Sequence, residues 1–148
     1  MPVLEISKTG GTGERCWTLT LTTDDGRPIL RATTPLVKGV AHDAAKALIQ
    51  KGPDAPFVEG NPAPGRPAWA AEKDDDSWLL RFTLVSETRF DPLLKPEDLN
   101  DIKNAEHTVI GIRTNLRKAD VKWNPPEADP AFAIKEADLT EPLGYPGS

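Results

Sequence analysis

The two histidines are the residues of this sequence whose chemistry would best suit catalysis or metal binding. His42 precedes Asp43 and His107 follows Glu106, so each imidazole has a carboxylate beside it in the chain. Two imidazoles and two carboxylates could hold a transition metal, and either histidine could act as an acid or base in a cleft. Neither pair has the spacing of three or four residues that places two ligands on one helix face. Solvated helix residues are therefore the favoured interpretation.

The other chemically suggestive residues have weaker surroundings. Cys16 is the single cysteine, and its neighbour Arg15 would point to the opposite face of a strand rather than activate the thiol. The acidic run 74–76 lacks the glycine and the distal glutamate of a calcium loop. The glycine-rich turn 9–14 runs into another strand, whereas a phosphate-binding loop leads into a helix. The sequence therefore predicts no catalytic residue, no metal site and no cofactor.

Four tryptophans are the remaining candidates for function. Trp17 and Trp78 fall on alternating apolar stripes, which predict that they pack in the core. The pattern around Trp69 and Trp123 does not assign them a face, and exposed tryptophan is enriched at binding hot spots. Phe132 belongs to a short apolar run near the C-terminus that could dock on the body or pair with a sheet edge. We therefore expect an interaction surface formed by Trp69, Trp123 and Phe132.

Residues 17–30 carry the clearest structural signal in the chain. Apolar residues alternate with threonines from Trp17 to Thr22, the pair Asp25-Gly26 follows, and a second apolar segment begins soon after it. An Asp-Gly pair between two alternating segments is typical of a β-hairpin with a tight turn. The segment therefore predicts two antiparallel strands.

The order strand, strand, strand, helix is predicted twice. The first helix has apolar residues at helical spacing, namely Ala41, Ala44, Ala45, Leu48 and Ile49. The second helix has one apolar stripe, formed by Ala105, Val109, Ile112 and Leu116. Two similar units in succession suggest an internal duplication. The predicted divisions are a first unit at 1–53, a Pro/Gly-rich connector without secondary structure at 54–66, a second unit at 67–123 and a Pro-rich acidic tail at 124–148.

Composition limits the classes of function. The chain has 148 residues and a formal net charge of −5, and all of the net negative charge lies in residues 67–148. Nucleic-acid-binding proteins usually carry clustered Lys and Arg, so we expect no nucleic-acid partner. No apolar run is long enough to span a bilayer, which predicts no membrane association. The absence of a secretion leader at the N-terminus and the single cysteine favour a cytoplasmic location.

The first unit resembles a known family. Its first strand (residues 4–8), the alternating Trp17, Leu19 and Leu21, the Asp25-Gly26 turn and the following Ile29-Leu30 pair are similar to the YegP-like domain. That family is bacterial and archaeal, has no assigned function, and occurs as single units that dimerise or as tandem repeats. The resemblance implies a tandem form here, and it implies no catalytic residues because the family has none established.

Together these patterns predict an α+β protein made of a tandem βββα repeat. Its antiparallel sheet or sheets would carry both helices on one face and be related by a pseudo-twofold axis. We expect a non-enzymatic module that binds a protein or peptide through a sheet edge or exposed aromatic residues, as a monomer built like a dimer or as a weak homodimer. The alternative is a small-molecule-binding protein or weak enzyme that uses a cleft between the units, with His42 or His107 as the acid or base.

Overall fold

The computed structural model describes residues 1–9, 13–60, 67–74, 77–83, 89–93, 101–124, 126–132 and 134. Within these ranges the protein is a mixed α+β fold with one large sheet and two helices. Residues 75–76 of the acidic run, the second half of the connector (61–66) and the tail beyond residue 134 lie outside the described residues, as does the side chain of Trp78.

The strands follow the predicted alternation closely in the first half of the chain. In chain order they are β1 (Val3–Lys8), β2 (Arg15–Thr22), β3 (Pro28–Ala32), β4 (Leu36–Val37), β5 (Phe57–Glu59), β6 (Ala68–Asp74), β7 (Ser77–Thr83), β8 (Arg89–Pro92) and β9 (Asp120–Asn124). The turn between β2 and β3 has Gly26 at φ +83°, a conformation that glycine adopts without steric cost. The Asp25-Gly26 hairpin prediction is therefore confirmed.

The sheet is mostly antiparallel, and its strand order brings distant parts of the chain together. The order is β5-β6-β7-β8-β3-β2-β1-β9, with β4 pairing with β2 next to β3. Strands β3 and β8 meet near the middle in antiparallel pairing. The two strands that follow the helices form the two ends, where β5 pairs in parallel with β6 and β9 pairs in parallel with β1.

The parallel end strands were not predicted from the sequence. The connector was expected to contain no element, and that expectation is wrong because Phe57–Glu59 forms β5 against β6. The second helix, α2 (Ile102–Lys118), holds the chain leading into β5, since Arg117 donates to the Pro53 carbonyl at 3.0 Å and Arg113 donates to the Ala55 carbonyl. These two hydrogen bonds from α2 hold the backbone just before β5.

The two helices are α1 (Lys38–Lys51) and α2 (Ile102–Lys118). All four residues of the predicted α2 stripe are buried, so that prediction is confirmed. Asp101 caps α2, because its side chain accepts a hydrogen bond of 2.8 Å from the Lys103 amide. A 3-10 turn at Gly52–Asp54 follows α1 and contacts both helices.

One continuous core lies between the helices and one face of the sheet. It joins alternate residues of the strands to the helix stripes, with Leu4, Ile6, Leu19, Leu48, Trp69, Phe82, Val109 and Leu116 among its most deeply buried members. Strand residues of the other parity point to the opposite face. In the described part of the chain, that opposite face carries mainly Thr, Ser, Arg and Glu side chains and no helix packs on it.

Candidate functional site

Trp69, expected on an interaction surface, is fully buried, so that expectation is wrong. Its ring stacks on Phe82 at 4.4 Å between centroids, and its indole N–H donates to the Gly52 carbonyl at 2.9 Å. Its neighbours in β6, Ala68 and Ala70, are also apolar. The sequence therefore shows no alternation there that would indicate which face of the sheet the Trp69 side chain occupies. Pairing of β6 with both β5 and β7, under α2, decides that Trp69 faces the core.

Trp123 and Phe132 do lie close together, at the β9 end of the sheet. The Trp123 ring meets Trp17 edge to face at 5.2 Å between centroids and lies nearly parallel to His42 at 6.2 Å. The Phe132 ring approaches both Trp123 at 6.0 Å and His42 at 5.7 Å, edge to face in each case. We call Trp17, Lys38, His42, Trp123 and Phe132 the aromatic cluster.

Residues 126–132 reach this cluster as an irregular segment that ends in a 3-10 turn at Pro130–Phe132. We call residues 126–132 the docked segment. Only Glu127 and Phe132 in it are half-buried, and its other residues are exposed. The indole N–H of Trp123 donates to the Phe132 carbonyl at 2.9 Å. The prediction that the apolar run near the C-terminus could dock on the body is therefore confirmed at Phe132.

Lys38 carries the positive charge at the centre of the aromatic cluster. Its ammonium lies over three rings, 4.4 Å from the Phe132 centroid and 5.7 Å from those of Trp17 and Trp123, distances at which cation–π attraction operates. It also forms an ion pair with Glu127, whose side chain is only 15% exposed. The hydrogen bond from Lys38 holds the pKa of the Glu127 carboxyl below its ordinary value. The docked segment is thus attached by one charged and one aromatic side chain.

The position of Lys38 in α1 makes this ion pair informative. Lys38 is the first residue of α1, and the first turn has neither an acidic residue nor a side-chain cap. A positive charge at a helix N-terminus opposes the helix dipole. The carboxylate that compensates this charge comes from Glu127, far along the chain. The sequence feature that could have indicated this contact is a helix that begins with lysine and has neither a capping side chain nor an acidic residue in its first turn.

The histidines differ from each other in burial. His42 is buried at 8% exposure, so its assignment as a solvated residue is wrong, whereas His107 is exposed as expected. His42 was placed off the apolar stripe of α1, but β9 and the docked segment cover that flank with Trp123 and Phe132. No group of three or more His, Cys, Asp or Glu side chains among the described residues could hold a metal ion. The structure does not bring the two histidines together in such a site.

The buried His42 ring has one satisfied and one unsatisfied nitrogen. Its Nδ1 lies 3.3 Å from the Asp43 carboxylate. Its Nε2 is buried without a hydrogen-bond partner among the described residues. A buried polar atom without a partner costs free energy, so a hydrogen-bond donor or acceptor brought to this atom would stabilise the cluster.

Strand β9 forms the sheet edge beside the cluster. The Asp120 amide donates at 3.0 Å to the carbonyl of Pro2, the residue directly before β1. Peptide groups alternate in direction along a strand. Asp120, Lys122 and Asn124 therefore direct their peptide groups towards β1. The N–H and C=O groups of Val121 and Trp123 point away from it, towards the edge of the sheet.

A hollow of about 510 Å³ lies on the sheet face opposite the helices. Its floor is formed by polar residues of β1 and β2, including Ser7, Thr18 and Thr20, and Arg31 of β3 contributes a guanidinium group. Neither His42 nor His107 lines it. Among the described residues, the hollow therefore offers hydroxyl groups, the Arg31 guanidinium and the Glu5 carboxylate.

None of the described helices is both long enough and apolar enough to cross a membrane. Comparison of the chain with known protein families, characterised proteins and solved structures finds no significant match.

Proposed function

We propose that this protein is a non-enzymatic module that binds a protein or peptide along β9. The observation that carries the proposal is the direction of the Val121 and Trp123 peptide groups, which face the sheet edge rather than β1. Outward-facing peptide groups on an edge strand can accept an additional strand from a partner. Trp123 and Phe132 of the aromatic cluster supply large, half-buried side chains of the kind that commonly anchor such complexes.

A proline substitution tests the proposal with little disturbance of the fold. In Val121→Pro the lost N–H points away from β1, so the β1–β9 hydrogen bonds remain, and proline is tolerated on an edge strand in this orientation. Val121→Thr is the matched control because it keeps the amide and the branched shape. We expect immobilised wild-type protein and Val121→Thr to enrich the same peptides from a phage-displayed random library, and Val121→Pro to lose them. Enrichment that is identical for all three proteins would contradict strand addition at β9.

The second candidate function is binding of a polar small molecule in the hollow on the uncovered sheet face. The supporting observation is its volume of about 510 Å³ together with its lining of hydroxyl groups, Arg31 and Glu5. A screen of small carboxylates and sugars by thermal shift tests this candidate. A ligand that raises Tm for the wild type and for Val121→Pro, but not for Arg31→Ala, would support it. A panel that leaves Tm unchanged would count against it.

We also propose that the chain arose by internal duplication. Residues 1–53 and 67–123 are proposed to be two copies of one unit related by a pseudo-twofold axis, and the chain to be a tandem relative of the YegP-like domain. The reciprocal pairing of β5 with β6 and of β9 with β1 supports this arrangement. A chain built in this way would act as a monomer or weak homodimer, and its single cysteine is consistent with a cytoplasmic location.

A further inference from the structure

The docked segment has the properties of a weakly held ligand rather than of a core element. Five of its seven residues are exposed, and only Glu127 and Phe132 are partly buried. Its shape is set locally, because Asp129 accepts a hydrogen bond from the Ala131 amide at 3.0 Å and the Phe132 amide donates to the Asp129 carbonyl at 3.0 Å. A segment that is shaped by its own contacts and attached at two points can be replaced by a segment of similar chemistry.

The surface beneath the docked segment is built to receive an acidic group and an aromatic ring. Lys38 lies at the start of α1 with no acidic residue in the first turn, so it attracts a carboxylate supplied from elsewhere. Trp123 offers an indole donor to a backbone carbonyl. His42 and Trp123 offer ring faces and edges to an aromatic side chain. These contacts recognise an acid followed, five residues later, by an aromatic residue.

Phe132 leaves one contact of this surface unused. His42 Nε2 is buried without a partner in the described part of the chain, and the Phe132 ring lies against His42 without any polar atom to offer it. A tyrosine in place of Phe132 would present the same ring together with a hydroxyl group that can pair with an imidazole nitrogen. The protein's own segment therefore leaves a buried nitrogen unpaired, and an occupant that supplies a partner for it would bind more tightly.

From these contacts we infer that the aromatic cluster is a docking site for an acidic, tyrosine-containing segment of a partner protein, and that residues 126–132 cover this site by occupying it. The inference rests on the proposed peptide-binding function and adds the site and the class of partner. The covalently linked segment competes at a high effective concentration. An external segment binds only the molecules whose site is open. Its apparent affinity is therefore the intrinsic affinity multiplied by the fraction of molecules with an open site.

The test uses the full-length chain and a labelled peptide with the sequence of residues 125–134. Fluorescence anisotropy should show that this peptide binds a Glu127→Gln, Phe132→Ala double variant at least about tenfold more tightly than it binds the wild type, because the chain's own cover is weakened. A peptide carrying Phe132→Tyr should bind more tightly than the parent peptide. A peptide carrying both Glu127→Gln and Phe132→Ala should lose binding, as should the double variant after addition of Lys38→Ala.

Several results would overturn the inference. They are equal affinity of the peptide for the wild type and the double variant, no binding to the double variant, and no gain from tyrosine. Sedimentation showing a wild-type dimer that dissociates in the double variant would assign the site to a second copy of the chain instead of a partner. Circular dichroism checks the fold of each variant, and Glu127→Gln alone, which preserves the ring packing, replaces the double variant if that one does not fold.

Failure of this inference is distinguishable from failure of the proposed function. If the peptide does not bind but library peptides are still lost in Val121→Pro, only the docking site is refuted. If the peptide does not bind and no library peptide depends on Val121, the peptide-binding function is refuted as well.

Discussion

The ammonium group of Lys38 is paired with the carboxylate of Glu127 at the N-terminal end of α1. The pair links the first helix to a segment that follows the last strand of the sheet. It also lies beside three aromatic rings, which reduce its contact with water. The Glu127 carboxylate thus compensates the positive charge of a lysine at the start of a helix whose first turn has no acidic residue.

The pairing predicts release of the docked segment in acid. The pKa of the Glu127 carboxyl is lowered by its hydrogen bond with Lys38, so the pair stabilises docking above the ordinary pKa of glutamate. That contribution is lost as the pH falls through the lowered value. In protein labelled with 5-fluorotryptophan, the ¹⁹F resonance of Trp123 should shift in this acidic range.

Two variants control for other carboxylates. Glu127→Gln should abolish the acidic shift of the Trp123 resonance and give the released position at neutral pH. Asp25→Asn should leave the shift in place, because the pKa of Asp25 is lowered by Thr23 in a distant turn. A Trp123 titration that is unchanged in Glu127→Gln would refute the role of the ion pair.

Truncation of Trp69 should strongly destabilise the fold. Trp69 is fully buried, and Trp69→Ala should lower the free energy of unfolding by about 3–5 kcal/mol. Trp69→Phe keeps an aromatic ring in the core but leaves the Gly52 carbonyl without its indole donor. The loss of this hydrogen bond should lower the free energy of unfolding by about 1–3 kcal/mol. Urea denaturation measures both values. A cost below about 1 kcal/mol for the alanine variant would show that Trp69 is not a core residue.

The glycines at the end of α1 and inside α2 should respond to alanine in opposite directions. A Cβ on Gly52 would lie 2.8 Å from Leu116 Cδ1, so Gly52→Ala should destabilise the protein by about 1–3 kcal/mol through overpacking. Gly111 lies in the middle of α2, and nothing would lie within 4 Å of its added Cβ. Gly111→Ala should therefore stabilise by about 0.5–1 kcal/mol. A rise in Tm for both variants would contradict the close packing at Gly52.

The turn between β2 and β3 should tolerate asparagine better than alanine. Gly26 has φ +83°, where a Cβ costs about 1–2 kcal/mol, and asparagine visits this region more readily than other residues with a side chain. Gly26→Ala should lower Tm more than Gly26→Asn does. Because no atom crowds the position, equal effects of the two substitutions would show that the turn relaxes to a different conformation.

Local elements could be predicted where one face of a segment is buried and the other is solvated. The alternation in β1 and β2 and the Ala105–Leu116 stripe of α2 both follow this rule and were predicted correctly. The parallel strands β5 and β9 could not be predicted in this way. Each is short and follows a helix, and its parallel partner is not joined to it by a hairpin turn, so nothing local distinguishes it from a loop.

The candidate site shows the same limit. The sequence selected Trp123 and Phe132, but it also selected Trp69, whose alanine neighbours conceal the direction of its side chain. It assigned His42 to solvent because the helix pattern alone cannot show that another segment covers the flank of α1.

The sequence by itself determined the hairpin with its Asp25-Gly26 turn, the two helices and their apolar stripes, because these depend on residues a few positions apart. Only the tertiary structure decided that β9 lies at a sheet edge, that Lys38 meets Glu127 and that two tryptophans, a histidine and Phe132 share one cluster. Contacts between distant segments depend on the shape of the whole core, and residue periodicity carries no information about them.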